Sequence, residues 1–207
     1  MRWCGHPNQR VNNAETPVCY ESATVPGTGR DRAVGELSTA YGKDLKSLKI
    51  LMVEDNSGMR LLLRTMLGTF GVSTVRQARD GTDGIMELQL HDVDLVISDW
   101  EMQPMNGRDF IASVRSIGNE PVCFTPIIVL TGHASHSLIK EAFEIGATHL
   151  LVKPVTPASL LHRIEWVLHD DRQFERAGDI YRQPMLLKER DGLKRAKVVG
   201  QTTWPLE

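Results

Sequence analysis

The stretch Asp94-Leu95-Val96-Ile97-Ser98-Asp99, in the middle of the chain, decides the fold. Its apolar centre is short and it ends on a polar residue. Three other runs have the same form: Leu48-Lys49-Ile50-Leu51-Met52-Val53, Pro126-Ile127-Ile128-Val129-Leu130 and His149-Leu150-Leu151-Val152. Runs of this length, bounded by turn signals and separated by helical patterns, are typical of strands buried in a parallel sheet.

Polar residues follow each of these four runs. Glu54 and Asp55 follow Val53, and Asp99 ends the run that begins at Asp94. Thr131 follows Leu130, and Lys153 follows Val152. Parallel strands end on the same edge of an open α/β sheet, and such folds bind ligands at that edge. We therefore expect three carboxylates, a hydroxyl and an ammonium to share one pocket, which is the composition of a site for a cation and a phosphate.

Strands and helices alternate from Leu48 onward, which predicts an α/β fold with right-handed crossovers. The fold class we expect is α/β with a five-stranded parallel sheet, doubly wound as a (βα)5 unit. The predicted strands are 48–53, 72–77, 94–98, 126–130 and 148–152. The predicted helices follow them, the first with Ser57 as N-cap and the last with Thr156 as N-cap and Pro157 at the first helical position.

Three segments are expected along the chain of 207 residues. Residues 1–46 contain prolines, glycines and small polar residues without periodicity, and we predict a flexible N-terminal arm. Residues 47–170 form the predicted domain. Residues 171–207 mix charges of both signs and are predicted to be a C-terminal tail, partly disordered or with a short helix over Met185–Arg190.

Composition excludes several classes of protein. The formal net charge is −2, so there is no electrostatic argument for a nucleic-acid or membrane partner. No stretch approaches the roughly 20 apolar residues of a membrane span, and the N-terminus lacks the apolar core of a signal peptide. The three cysteines are widely spaced, which fits a reducing compartment better than a disulfide framework. We expect a cytoplasmic protein.

The polar residues at the strand ends also suggest a chemistry. Like charges on Glu54, Asp55 and Asp99 would repel one another in a partly buried pocket unless a cation lies among them. Mg²⁺ suits oxygen ligands and completes its coordination with water and phosphate oxygens. Lys153 and Thr131 could then bind the phosphoryl oxygens, and Asp99, on the middle strand, is the best candidate for a carboxylate that forms an aspartyl-phosphate.

The same segments resemble the receiver domain of two-component response regulators over about residues 48–170. The resemblance lies in Ile50–Asn56, Leu95–Gly107, Ile127–Gly132 and Gly146–Pro154, which include all five diagnostic polar positions in order. The resemblance implies a flavodoxin-like receiver fold. The chain would then be a stand-alone receiver, a response regulator with N- and C-terminal extensions that signals by phosphorylation-dependent protein binding or phosphorelay.

The resemblance also implies roles for individual residues. Asp99 would accept a phosphoryl group from a histidine kinase or histidine phosphotransfer protein, so the chain would be a phosphoprotein and not a turnover enzyme. Asp55, Asp99 and the backbone carbonyl of Glu101 would bind Mg²⁺, with Glu54 acting through water. Thr131 and Lys153 would hold the phosphoryl group, and the bond before Pro154 would be cis.

Three positions depart from the family's usual pattern. Gln103 precedes Pro104 where the family usually has Met-Pro, which indicates a one-residue shift within the loop, and Glu54 replaces the commoner first Asp. Leu150 stands where many receivers carry a Tyr or Phe, so the change on phosphorylation would be read out through the loop after Thr131 and the fourth helix. We further hypothesise that Glu101 and His133 tune the attack of water on the aspartyl-phosphate; two solvated loop residues are the alternative.

Two other functions stay open at this point. A DNA-binding transcriptional regulator would use a basic cluster in the tail, formed by Lys188, Arg190, Lys194, Arg195 and Lys197, although Glu189 and Asp191 dilute it. A phosphatase of the haloacid dehalogenase type would also use an aspartyl-phosphate and Mg²⁺. That family carries its nucleophile on the first strand, whereas the candidate here lies on the third.

Overall fold

A computed structural model describes residues 35–185 of the chain. The predictions made for residues 1–34 and 186–207 lie outside the described residues. These residues comprise most of the predicted N-terminal arm and the basic cluster of the tail. They also comprise all but the first residue of the predicted short helix over Met185–Arg190.

Five parallel strands form one sheet, as the sequence predicts. Their bounds are β1 Lys49–Val53, β2 Thr74–Ala78, β3 Leu95–Asp99, β4 Ile127–Thr131 and β5 His149–Val152. Their order across the sheet is β2-β1-β3-β4-β5. The strand order places β1 and β3 side by side, with Val53 paired with Ser98, and β4 beside β3, with Leu130 paired with Asp99. The carboxyl ends of the three central strands therefore lie next to one another.

Five helices connect and follow the strands: α1 Ser57–Thr69, α2 Gly81–Leu90, α3 Gly107–Arg115, α4 His136–Glu144 and α5 Pro157–Leu168. The predicted cap of α5 is correct, since the Thr156 side chain accepts from the Ser159 amide. The predicted cap of α1 is one residue late: Asn56 is the N-cap and its side chain accepts from the Met59 amide. No helix within residues 35–185 is long and apolar enough to cross a membrane.

Helices cover both faces of the sheet. Successive residues of a strand point to opposite faces, so each strand contributes to two cores. Ile50 and Met52 join the core shared with α1 and α5, whereas Leu51 and Val53 join the core shared with α2, α3 and α4. The central strands β3 and β4 are buried along their whole length. This two-sided burial explains why these strands read as nearly continuous apolar runs and not as alternating ones.

The second strand begins later than the sequence predicts, at Thr74 and not at Val72. Gly71 has a φ of +86°, a left-handed conformation that favours glycine. Just after it, the Val72 amide donates to the Leu67 carbonyl at 3.1 Å. Val72 is thus buried as part of the end of α1, and its apolar side chain does not mark the start of the strand.

The described structure continues on both sides of the predicted domain of residues 47–170. Before it, Ala40 is fully buried, and the Lys43 ammonium lies 2.5 Å from an Asp94 carboxylate oxygen. After it, within the first part of the predicted tail, the chain forms a hairpin of two short strands, β6 Glu175–Ala177 and β7 Ile180–Arg182. Both segments are short and polar apart from single apolar residues, so no periodic pattern revealed them.

Arg115 contacts the segment that leads into this hairpin. Its guanidinium is fully buried and donates to the backbone carbonyls of Gly146, Cys123 and Thr125 at 2.6 to 2.8 Å. It also lies over the ring of Phe174, just before the hairpin, at 4.9 Å from the ring centroid. Burial lowers the pKa of Arg115 to about 9, so the side chain keeps its charge at neutral pH. The result is a buried cation held by carbonyl oxygens and an aromatic face.

Replacing Arg115 by Ala is expected to lower the free energy of unfolding by about 3 kcal/mol or more, because three buried carbonyls lose their donor. Urea denaturation followed by circular dichroism measures this loss. The matched control is Arg176→Ala, an exposed hairpin arginine whose side chain donates to the nearby Gly178 carbonyl, and for this variant we expect a change of about 0.5 kcal/mol or less. Equal stabilities of the two variants would contradict the prediction.

Candidate functional site

Four of the predicted side chains meet at the carboxyl edge of the sheet. Glu54 follows β1, Asp99 ends β3, Thr131 ends β4, and Lys153 follows β5. The Lys153 ammonium lies 3.0 Å from Glu54 Oε2 and 2.9 Å from Asp99 Oδ1. Residues 99 positions apart in the sequence are therefore in direct contact. In the sheet β3 and β4 lie between β1 and β5, so the long Lys153 side chain spans the distance between these two strand ends.

The three predicted carboxylates form one acidic cluster. Glu54, Asp55 and Asp99 each place a carboxylate oxygen within 4.8 Å of the others. Glu54 and Asp99 are 1% and 5% exposed, whereas Asp55 is exposed to solvent. An all-oxygen set with one open side is the arrangement that a hard divalent cation prefers, since such a cation retains water molecules on the open side. The residues present thus fit a magnesium-type ion, held by Asp55 and Asp99 with Glu54 close by.

Burial sets the charge balance of the cluster. It raises the pKa of Asp99 and of Glu54 above their ordinary values, and the hydrogen bonds from Lys153 oppose the rise without cancelling it. Burial also acts to lower the pKa of Lys153, but the bonds to Asp99 and Glu54 outweigh it and the pKa is raised. The ammonium therefore stays protonated and compensates only part of the negative charge, so a further cation would be stabilised here.

The loop after Asp99 fixes the orientation of this carboxylate. The Trp100 amide donates to Asp99 Oδ1 at 2.9 Å. The Gly107 amide donates to the Trp100 carbonyl at 3.0 Å, so the loop folds back onto the strand end. A Cβ on Gly107 would lie 2.2 Å from the Asp99 carbonyl oxygen, and only glycine permits this approach. The loop therefore depends on a glycine that begins α3.

Thr131 is fully buried and bonded within its own loop. Its hydroxyl accepts from the His133 amide at 3.2 Å and lies 3.1 Å from the His133 carbonyl oxygen, to which it donates. The Lys153 amide donates to the Thr131 carbonyl at 2.8 Å, which ties the ends of β4 and β5 together. The side chains of His133 and Glu101 are exposed beside these strand ends. Each is two residues beyond a buried site residue, as the sequence requires.

Leu150 lies in the core and not at the surface. It is 8% exposed and belongs to the apolar cluster that includes Ile139, Ala142 and Phe143 of α4. It therefore packs beneath α4 as an ordinary aliphatic core residue. The Lys153–Pro154 bond is cis, as the resemblance implies, and the bonds before Pro104 and Pro121 are cis as well.

One side chain at the site was not anticipated from the sequence. Arg60, on α1, donates through a single guanidinium nitrogen to the carbonyls of Glu54 at 2.7 Å and Asp55 at 2.9 Å. The signal that could have found it is its position. An arginine in the second turn of a helix can reach back to the loop before that helix, here the loop that carries the acidic pair.

The chain matches the family model described as "Response regulator receiver domain" over residues 50–165. It is 33% identical to the chemotaxis protein CheY-3 of Vibrio cholerae over 131 residues, which cover 63% of this chain and 95% of that protein. It is also 33% identical to the chemotaxis protein CheY of Pseudomonas aeruginosa over 118 residues, or 57% of this chain and 94% of that one.

Solved structures agree with these relatives. The chemotaxis response regulator CheY4 of Vibrio cholerae matches with a TM-score of 0.54 and 35% identity, over 58% of this chain and 98% of that one. A response regulator receiver protein from Pseudomonas putida matches with a TM-score of 0.52 and 26% identity, over 57% of this chain and 95% of that one. The matched family segment holds the acidic cluster and Lys153. The chain therefore belongs to the response regulator receiver domain family of two-component signalling.

Proposed function

We propose that this chain is a phosphoacceptor of two-component signalling in which Asp99 receives a phosphoryl group from a histidine kinase or a histidine phosphotransfer protein. The observation that carries the proposal is the position of Lys153, whose ammonium contacts Asp99 and Glu54 in the same acidic cluster. A buried carboxylate beside a fixed cation and a divalent-ion site is the arrangement that phosphoryl transfer to a carboxylate requires.

In the proposed reaction a carboxylate oxygen of Asp99 forms a bond to phosphorus, and the bond from phosphorus to the donor's histidine nitrogen breaks. The electron pair of the broken bond stays on that nitrogen. Lys153 compensates the charge of the phosphoryl oxygens throughout, and the Thr131 hydroxyl turns from its own loop to donate to one of them. Mg²⁺, held by Asp55, Asp99 and the Glu101 carbonyl with Glu54 acting through water, supplies charge neutralisation when bound.

The output of the proposed switch is protein binding or onward phosphorelay, and not catalytic turnover. Leu150 is an aliphatic core residue beneath α4, so an aromatic side chain is not available at this position to change its place. We therefore propose that the loop after Thr131 and α4 carry the change to a partner protein in the cytoplasm. Nothing in residues 35–185 favours DNA binding over this proposal. A dehalogenase-type phosphatase would carry its nucleophile on the first strand, whereas the candidate here lies on β3.

The proposal is tested with a small phosphodonor. The full chain is incubated with acetyl phosphate and Mg²⁺, and its intact mass is measured before and after. We expect a gain of one phosphoryl group that fails to appear when EDTA replaces Mg²⁺. A mass that stays unchanged with Mg²⁺ would contradict the proposal. Release of phosphate far beyond one equivalent from a chromogenic phosphate ester would instead support a phosphatase.

The residues flanking the phosphoryl group are expected to set its lifetime. The Glu101 carboxylate can orient an attacking water, so Glu101→Ala should lengthen the lifetime about threefold or more. The His133 ring can shield the phosphorus, so His133→Ala should shorten the lifetime by a similar factor. The decay of the phosphorylated mass after removal of the donor measures both. Glu144→Ala, at the exposed far end of α4, is the control, and three lifetimes equal to that of the original chain would refute the hypothesis.

A further inference from the structure

We infer that Arg60 is a positioning residue for the divalent cation, acting through the backbone of the acidic loop; the inference rests on the proposed function. Arg60 Nη1 donates to the Glu54 carbonyl at 2.7 Å and to the Asp55 carbonyl at 2.9 Å. These are consecutive residues, and each supplies a carboxylate oxygen to the cluster. One guanidinium nitrogen thus holds the two peptide units whose side chains form one wall of the site.

Hydrogen bonds also hold the two ends of this loop. The Glu54 amide donates to the Ala78 carbonyl at 3.1 Å, which fixes the start of the loop to β2. The Asn56 amide donates to Glu54 Oε1 at 3.3 Å, and the Asn56 side chain caps α1. Between these two anchors the described contacts give the carbonyls of Glu54 and Asp55 only one side-chain donor, and that donor is Arg60.

The carboxylates of Glu54 and Asp55 differ in the contacts that fix their positions. Glu54 is buried and bonded to Lys153, so its position has a second support. Asp55 is exposed, and within the described residues its carboxylate has no bond that would fix it. The backbone held by Arg60 is then the main constraint on the direction in which Asp55 points. Loss of the Arg60 donor should therefore weaken cation binding through Asp55 more than it weakens the fold.

Arg60 also brings a positive charge close to the site, which predicts the opposite effect on a cation. If the charge dominated, its removal would strengthen binding of Mg²⁺. Arg64 separates the two effects, because it is an exposed arginine one turn further along α1. Replacing Arg64 removes the same charge from the same helix and leaves both loop carbonyls with their donor.

The test measures the Kd of Mg²⁺ by isothermal titration calorimetry on the full chain, for Arg60→Met, Arg60→Lys and the control Arg64→Met. Methionine keeps the aliphatic packing of the arginine stem and removes every donor. We expect Kd to rise about tenfold in Arg60→Met, at the lower end of what the loss of a supporting partner of a metal ligand costs. Arg60→Lys, which keeps a charged donor group on a shorter side chain, should give an intermediate Kd, and Arg64→Met should match the original chain.

Thermal unfolding in EDTA accompanies each titration and separates positioning from a general loss of structure. We expect the midpoint of Arg60→Met to stay near that of Arg64→Met, while its Kd differs. At saturating Mg²⁺ the mass gain with acetyl phosphate should also return in Arg60→Met. A merely structural role would instead lower the unfolding midpoint and leave Kd unchanged in the folded protein.

Two results would overturn the inference: a Kd of Arg60→Met equal to or lower than that of the original chain, or the same rise in Kd in Arg64→Met. If Arg60→Met does not fold, the lysine variant decides, and a folded Arg60→Lys with unchanged Kd overturns the inference too. Failure of the proposed function is distinguishable, because the original chain itself would then neither bind Mg²⁺ nor gain the mass of a phosphoryl group.

Discussion

Replacing Asp99 by Asn is expected to abolish the mass gain with acetyl phosphate and Mg²⁺, whereas the original chain gains one phosphoryl group. An amide oxygen carries no negative charge and is a far weaker nucleophile than a carboxylate, so the bond to phosphorus should not form. The same change removes one of the three oxygens that would hold the cation. Because asparagine has the same shape as aspartate, the fold should be retained, and intact-mass measurement reports the lost reaction directly.

The control for this prediction is Asp92→Asn. Asp92 lies just before β3, at the opposite edge of the sheet from Asp99, and its side chain is 92% exposed. This variant has lost one carboxylate near the same strand but should gain the mass of a phosphoryl group like the original chain. A mass gain that persists in Asp99→Asn would place the phosphoryl group on another residue and contradict the assignment. Peptide mapping of that product would then locate it.

The convergence of the site residues was predictable because it depends on strand topology alone. Each of Glu54, Asp99, Thr131 and Lys153 follows an apolar run that can be read from a few consecutive residues, and parallel strands end on one edge. The strand ends share one edge, and the long side chain of Lys153 reaches both carboxylates from β5. The local sequence pattern was sufficient here because the central strands are buried on both faces, and their apolar runs leave few alternative structures for these segments.

The contacts made by Arg60 and Arg115 were not predictable in the same way. An arginine in a helix is normally a solvated residue, and its sequence neighbours do not reveal which carbonyls it reaches. Arg115 is fully buried, and the ring of Phe174, which precedes the hairpin of two three-residue strands, lies over its guanidinium. That hairpin contributes only a few apolar side chains, so periodicity gives no signal for it. Long-range contacts of single polar residues require the three-dimensional structure.

Replacing Lys153 by Met is expected to destabilise the metal-free protein strongly at neutral pH and hardly at all in acid. Lys153 is the cation that lies between the carboxylates of Glu54 and Asp99. Removing one partner of a fully buried ion pair costs about 3–5 kcal/mol. The Lys153 side chain is 23% exposed, so we expect a smaller loss, about 2 kcal/mol at pH 7 to 8, measured by urea denaturation in EDTA.

The dependence on pH follows from the raised pKa of Glu54 and of Asp99. Burial first, and then the opposing charge of Lys153, set these values in the folded chain. A group whose pKa is raised on folding contributes stability that is present in acid and is lost as the pH rises through its folded pKa. Without Lys153 both pKa values rise further, so the stability of the variant should fall more steeply between the ordinary pKa of a carboxyl and neutrality.

The difference between the two proteins is the quantity to measure across this range. His149 has a pKa that burial lowers to about 3, and it gives stability that is lost as the pH falls below its ordinary pKa near 6.5. It is present in both proteins, so its contribution cancels in the difference. We expect the loss caused by Lys153→Met to shrink towards zero near pH 4, whereas Lys140→Met, on the exposed face of α4, should give a small difference at every pH. A loss for Lys153→Met that is the same at pH 4 and pH 8 would show that the lysine does not act by compensating these carboxylates.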